Sequence, residues 1–165
     1  MIRGLSLLVA TLSLAALSLA ACNRAAPVAQ PIQFSHKAHV EKGLPCDGCH
    51  QFVEKASFAG MPTTETCMMC HQATITDNPE EEKVRQYAAK GLQIPWGRVY
   101  QVAGHAYFSH RRHVTLGRVE CVRCHGDVGE SAAPLTVAAL PISMNRCIGC
   151  HAQEGAASDC NACHR

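Results

Sequence analysis

The sequence predicts a mostly irregular chain with short α-helices, built as two similar modules and a C-terminal addition around something other than its own side chains. Three observations carry this. The 165 residues hold 11 Cys and 10 His against only 4 Phe, 3 Tyr and 1 Trp, too little aromatic bulk for a large conventional core in a chain this small. A seven-residue segment, Phe34-Ser35-His36-Lys37-Ala38-His39-Val40, recurs as Phe108-Ser109-His110-Arg111-Arg112-His113-Val114 with five of seven positions identical. The pattern C-x-x-C-H occurs five times. Strand signals are weak.

In chain order, residues 1–21 contain 15 apolar residues behind Arg3, the pattern of a secretory signal peptide. Leu19-Ala20-Ala21-Cys22 matches a bacterial lipoprotein box, so Cys22 is expected to be acylated and to become the first mature residue. The acyl chains would tether the protein to a membrane, and residues 22–31 read as a short extended linker. No later stretch is long and apolar enough to span a bilayer. The expected location is the bacterial cell envelope, lipid-anchored and facing the periplasm, on the inner or the outer membrane.

Apart from Cys22, the cysteines fall without remainder into Cys46-Cys49-His50, Cys67-Cys70-His71, Cys121-Cys124-His125, Cys147-Cys150-His151 and Cys160-Cys163-His164. This is the attachment signature of c-type haem: two thiols form thioethers and the adjacent His ligates iron. Paired zinc ligands or an exported disulfide framework would not require His after every second Cys. Five c-type haems are therefore expected.

Five histidines remain: His36, His39, His105, His110 and His113. They match the motif histidines one for one, so each iron is expected to carry two imidazoles. The alternative is that Met61, Met68, Met69 or Met144, or nothing, completes one of the spheres. The repeat places module 1 at 32–71 and module 2 at 106–151, each with two motifs and one His-x-x-His pair. The fifth site occupies 152–165. His105, standing alone before module 2, is assigned to it by elimination.

Between the modules, 72–105 reads as a helical connector. Asn78 and Pro79 start a helix with acids in its first turn, Gly91 stops it, and Val84, Tyr87 and Ala88 share one face. Trp96, Val99, Tyr100 and Tyr107 are expected to pack on porphyrin rather than bind a quinone. The formal charge of +2 lacks the basic excess of a nucleic-acid binder. Arg111, Arg112, Arg118, Arg123 and Arg146 are expected to pair with haem propionates in preference to forming a docking patch.

The Phe-x-His-x-x-His segment followed by C-x-x-C-H resembles the class III multihaem cytochromes c. The longer series FSHKAHVEKGLPCDGCH, AGMPTTETCMMCH, IPWGRVY, YFSHRRHV, CVRCHGDV and PISMNRCIGCH is similar to the pentahaem cytochrome subunit of alternative complex III, a quinol:electron-acceptor oxidoreductase. The resemblance covers nearly all of the mature chain. It implies a haem-stacked, helical and irregular fold relaying electrons on the periplasmic side. It further implies that His36 serves the Cys46/Cys49 haem and His110 the Cys121/Cys124 haem, with the destinations of His39 and His113 open. That subunit typically carries a spanning anchor helix, whereas this chain carries a lipoprotein signal.

Two imidazoles saturate an iron, which suits an electron carrier and leaves no position for substrate. The expected function is electron transfer in a respiratory or photosynthetic chain, not catalysis by the chain itself. Its partners would be a quinol-oxidising membrane complex or other cytochromes. A multihaem reductase of a small oxyanion such as nitrite would need one open iron, and the C-terminal site becomes its candidate if His105 is not a ligand. A redox or gas sensor would normally be fused to an output domain, and none is encoded.

Overall fold

The computed structural model describes residues 26–164; the signal peptide expected over 1–21 and the acylated Cys22 lie outside the described residues. Short helices follow one another: α1 (His36–Val40), α2 (Cys46–Cys49), α3 (Thr64–Met68), α4 (Glu80–Ala89), α5 (Cys121–His125), α6 (Met144–Gln153) and α7 (Cys160–Cys163). A π-helical turn spans Arg112–Leu116 and a 3-10 turn Val128–Glu130. Among the described residues, extended pairing is limited to one isolated antiparallel bridge, Ala106 with His164.

Side-chain oxygens start several of these helices. Ser35 Oγ accepts from Ala38 N, Thr63 Oγ1 from Thr66 N, Ser143 Oγ from Arg146 N and Asp159 Oδ1 from Ala162 N. Each occupies an otherwise unpaired first-turn N–H, so three C-x-x-C-H motifs ride on helices nucleated just upstream. The connector helix α4 begins where Asn78 Oδ1 accepts from Glu80 N at 3.0 Å. It ends at Gly91, whose φ of +63° terminates the turn.

The two His-x-x-His segments differ by one residue. Seven positions separate His39 from Cys46 and eight separate His113 from Cys121. The first segment is an α-helix that turns at Gly43; the second absorbs its extra residue in the π-helical turn and in Arg118, which is held at φ 51°. A single insertion in a helical register is what a π-turn accommodates.

The repeats interlock reciprocally. Arg111 N donates to Ala56 O, and its counterpart in the repeat, Lys37 N, donates to Ser131 O. Ala56 and Ser131 each lie six residues beyond their motif histidines, His50 and His125. Further bonds run from His110 N to Ser57 O and from Thr115 Oγ1 to Glu54 O. Each loop after a first C-x-x-C-H thus holds the His-x-x-His helix of the other repeat.

A small apolar core of Ile32, Val84 and Ile94 forms where α4 meets module 1, with Cys67, Met68, Tyr87 and Trp96 packed against it. Thr64, 2% exposed, donates to Leu92 O and accepts from Ile94 N, so its hydroxyl is fully used inside that core. The expected linker over 22–31 is not free along its whole length. Val28 N donates to Thr136 O, and Gln30 is bound to both Gly97 and Leu135. This segment straps the connector to module 2.

Candidate metal centres

In each repeat one phenylalanine organises two histidines. Phe34 stands edge-on to His36 with centroids 4.9 Å apart and lies flat on His39 at 4.5 Å. Phe108 repeats this with His110 at 4.8 Å, edge-on, and His113 at 4.8 Å, stacked. Edge-to-face and offset-stacked contacts are the favoured arrangements of aromatic rings. The two imidazoles of a pair are thereby turned toward different partners.

Each spare histidine lies beside one motif histidine. His39 faces His71 at 6.1 Å between ring centroids, His110 faces His125 at 6.3 Å, His113 faces His151 at 6.0 Å and His105 faces His164 at 5.3 Å. His36 lies near enough to His50 to feel its charge. A metal–imidazole bond is about 2 Å and the ligating nitrogen sits about 1 Å from the ring centre, so two rings sharing a metal lie about 6 Å apart. The His39–His71, His110–His125 and His113–His151 pairs have that spacing, and His105–His164 is closer, at 5.3 Å.

The second ring nitrogens explain how the imidazoles are aimed. Nδ1–H of His39, His50, His110 and His113 donates at 2.8 Å to the carbonyls of Ser35, Gly60, Ser57 and Ser109, and that of His151 at 2.5 Å to Ala157 O. A carbonyl only accepts, so each Nδ1 carries the proton and each Nε2 presents its lone pair. This is the outer-shell arrangement that fixes metal-binding histidines. Gly60 is required for one of these bonds: its φ is +85°, and a Cβ there would meet Phe52 Cδ2 at 2.7 Å.

Burial, then the charges of His50 and His39, pushes His36 below its ordinary value. His125 is lowered by burial, then by His110, His50 and Arg146. Both therefore favour the neutral ring that a metal takes. The ten described cysteines are free thiols. Burial, with smaller effects from neighbouring groups, raises Cys49, Cys124 and Cys121 and pushes Cys67 up to about 11. Their neighbours give an order: Cys49 lies by Cys70, Cys121 by Cys46, and Cys124 by Cys150. The second, first, third and fourth motifs are thus consecutive in space.

These donor sets fit haem. Among the described residues no three His, Cys, Asp or Glu side chains converge as a bare metal site would require. The imidazoles come instead in opposed pairs, beside thiol pairs one helical turn apart. Of the methionines considered as alternatives, Met68 packs on the apolar core and Met69 and Met144 are exposed, while Met61 takes no place among the ring pairs.

Several residues expected beside porphyrin or propionates also have protein partners. Trp96 is engaged by protein, with Nε1 donating to Pro62 O at 3.1 Å and its ring edge-on to Phe34. Tyr100 stands edge-on to His125 at 4.4 Å and its hydroxyl donates to His125 O. Arg146 is spent on Arg123 O, Pro141 O and Cys124 O, tying α6 to α5, and Arg123 pairs with Glu154. Sequence reasoning missed Ser57, Gly60, Ala157 and Glu81, the groups behind the histidine rings; only the position of Gly60, ten residues after its histidine, offered any signal.

Opposed imidazole pairs with thiols at C-x-x-C-H spacing define a c-type cytochrome of several haems. The chain belongs to the family described as cytochrome c7 and related cytochrome c, which it matches over residues 32–90 and again over 106–165. It is also 36% identical over 157 residues to the multihaem cytochrome c subunit of menaquinone reductase from Nitratidesulfovibrio vulgaris, an alignment covering 81% of this chain and 74% of that protein.

Proposed function

We propose that the chain is a five-haem electron carrier, tethered by Cys22 on the periplasmic side of a bacterial membrane and exchanging electrons with the quinone pool through a membrane partner. The observation that carries this reading is the set of opposed histidines, one spare ring for each motif ring. On it, His36 and His50 serve the Cys46/Cys49 site, His39 and His71 the Cys67/Cys70 site, and His110 and His125 the Cys121/Cys124 site. His113 and His151 serve the Cys147/Cys150 site, and His105 and His164 the Cys160/Cys163 site.

Bound haem supplies a one-electron couple at each site. The protein's part would be to offer two imidazole nitrogens to each iron, to keep the Nε2 lone pairs of His39, His50, His110, His113 and His151 bare through carbonyl bonds behind those rings, and to set the sites close together. A second imidazole at every site leaves no position for a small oxyanion, which favours the carrier over a reductase. The quinone link is supported by the relative, a subunit of a menaquinone reductase, and by the resemblance to a quinol-oxidising complex.

The test uses the tagged chain in membranes of the producing bacterium. A menaquinol or menaquinone analogue should change the haem absorbance of the purified assembly, and an integral membrane protein should copurify. Full reduction by dithionite with no response to either analogue would refute the quinone link.

A further inference from the structure

His71 is the exception among the motif histidines whose outer surroundings are on display. His50 and His151 present Nδ1 to a backbone carbonyl. His71 Nδ1 is buried without a hydrogen-bond partner, and the group that faces it is a carboxylate oxygen, Glu81 Oε2 at 3.7 Å. Glu81 is itself 8% exposed, an unusual place for a carboxylate without a purpose.

The carboxylate is built in. Thr76 Oγ1 donates to Oε1 at 2.6 Å, Thr76 N to the same oxygen at 3.0 Å and Ile75 N to Oε2 at 2.9 Å. Arg85 approaches the same oxygen, with Nη1 3.7 Å from Oε2, while its Nε and Nη2 are committed to Glu82. Three donors converge on the two carboxylate oxygens and none of their partners is an acceptor, which is the environment of an ionised carboxylate. It does not reach His71 Nδ1 as a direct hydrogen bond at this distance. It acts as a fixed negative charge behind the ring, in surroundings where charges are poorly screened.

We propose that Glu81 is a positioning and tuning residue that lowers the reduction potential of the Cys67/Cys70 haem relative to its neighbours by placing an anion behind the His71 imidazole. The proposal rests on the reading of His71 as an axial ligand. An anion there stabilises the oxidised, more positive centre over the reduced one, so electrons leave this site more readily. Among the four motifs whose cysteines adjoin one another, the Cys67/Cys70 site stands at one end, next to the Cys46/Cys49 site. A low-potential centre at an end of the series is suited to be a terminus of the carrier, not a bridge within it.

The test is a potentiometric titration of the intact holoprotein, followed optically and by the hyperfine-shifted NMR signals of the individual haems. Glu81→Gln keeps the acceptor for Thr76 and removes the charge; it should raise one component and leave the others in place. Glu81→Asp keeps the charge and should hold that component near its original potential. His39→Met, which replaces an imidazole by a thioether on the opposite side, identifies the component by raising it.

A rise in the same component with Glu81→Gln and His39→Met, absent with Glu81→Asp, is the expected result. No shift with Glu81→Gln, a shift in a component other than the His39 one, or an equal shift with Glu81→Asp would overturn the tuning role. If His39→Met moves no component while Glu81→Gln still moves one, the pairing of His39 with His71 fails and the Glu81 inference stands.

Discussion

His110 Nδ1 donates to the carbonyl of Ser57 at 2.8 Å, across 53 positions of sequence and from one repeat to the other. In the first repeat the equivalent nitrogen, His36 Nδ1, is buried without such a partner. The repeats are therefore alike in how they hold a histidine by phenylalanine, and unlike in how that histidine is finally aimed. Module 2 takes part of its site from module 1.

The interlock predicts a measurable coupling. Thr115→Val removes the hydroxyl that donates to Glu54 O at 2.9 Å while keeping the side chain's shape. It should cost about 0.5–1.5 kcal/mol, toward the lower end because the bond is exposed. Chemical denaturation followed through the haem absorbance of the repeat sites would read the loss, and an unchanged midpoint would show that this contact does not hold the modules together.

The phenylalanines predict a paired effect. Phe34→Leu removes both the edge contact to His36 and the stack on His39, each worth about 0.5–1.5 kcal/mol beyond area burial. The reduced variant should bind carbon monoxide at up to two irons through loosened distal rings. Phe108→Leu should do the same in module 2, and the double variant should show the two effects added.

Acid should weaken the contact between the start of module 1 at Gln33 and α4. The Lys83 ammonium, and next the Gln33 N–H that donates at 2.7 Å, hold Glu80 below its ordinary 4.5. A carboxyl depressed on folding contributes stability that is present above its unfolded value and is lost as pH falls through the folded one. The stability difference between the wild type and Glu80→Gln should therefore be largest above pH 4.5 and vanish at lower pH, read as denaturation midpoints along a pH series.

His105 offers a local test of the C-terminal site. Its ring stacks on His164 at 5.3 Å and 21°, supported by the Ala106–His164 bridge and by Tyr107 N donating to Cys163 O at 2.7 Å. His105→Ala should leave all haems attached, since the thioether residues are untouched, and open one iron to carbon monoxide. Loss of that haem by intact mass, or no new binding, would remove His105 as its ligand.

The sites were legible in the sequence to the extent that their chemistry is contiguous. Thioether attachment needs two thiols and a histidine within one turn, so Cys46-Cys49-His50 and its four counterparts could be read directly. Phe34 and Phe108 repeat with their histidines because one ring must set two imidazoles. The destinations of His39 and His113, beside His71 and His151, depend on chain paths that spacing does not encode. Backbone acceptors such as Ser57 O and Ala157 O have no residue signature at all. Val28 and Gln30 looked like linker because their docking uses main-chain and amide bonds, not apolar bulk. Arg146 looked like a free cation because the carbonyls it caps are brought to it only by the packing of α6 on α5.

On the proposed function, every iron is held between two imidazoles. The most direct measurement is the optical spectrum of the dithionite-reduced holoprotein before and after carbon monoxide, with haems counted by intact mass. The account predicts five covalent haems and an unchanged spectrum. Carbon monoxide binding to the wild-type protein, or a mass showing fewer than five haems, would contradict it.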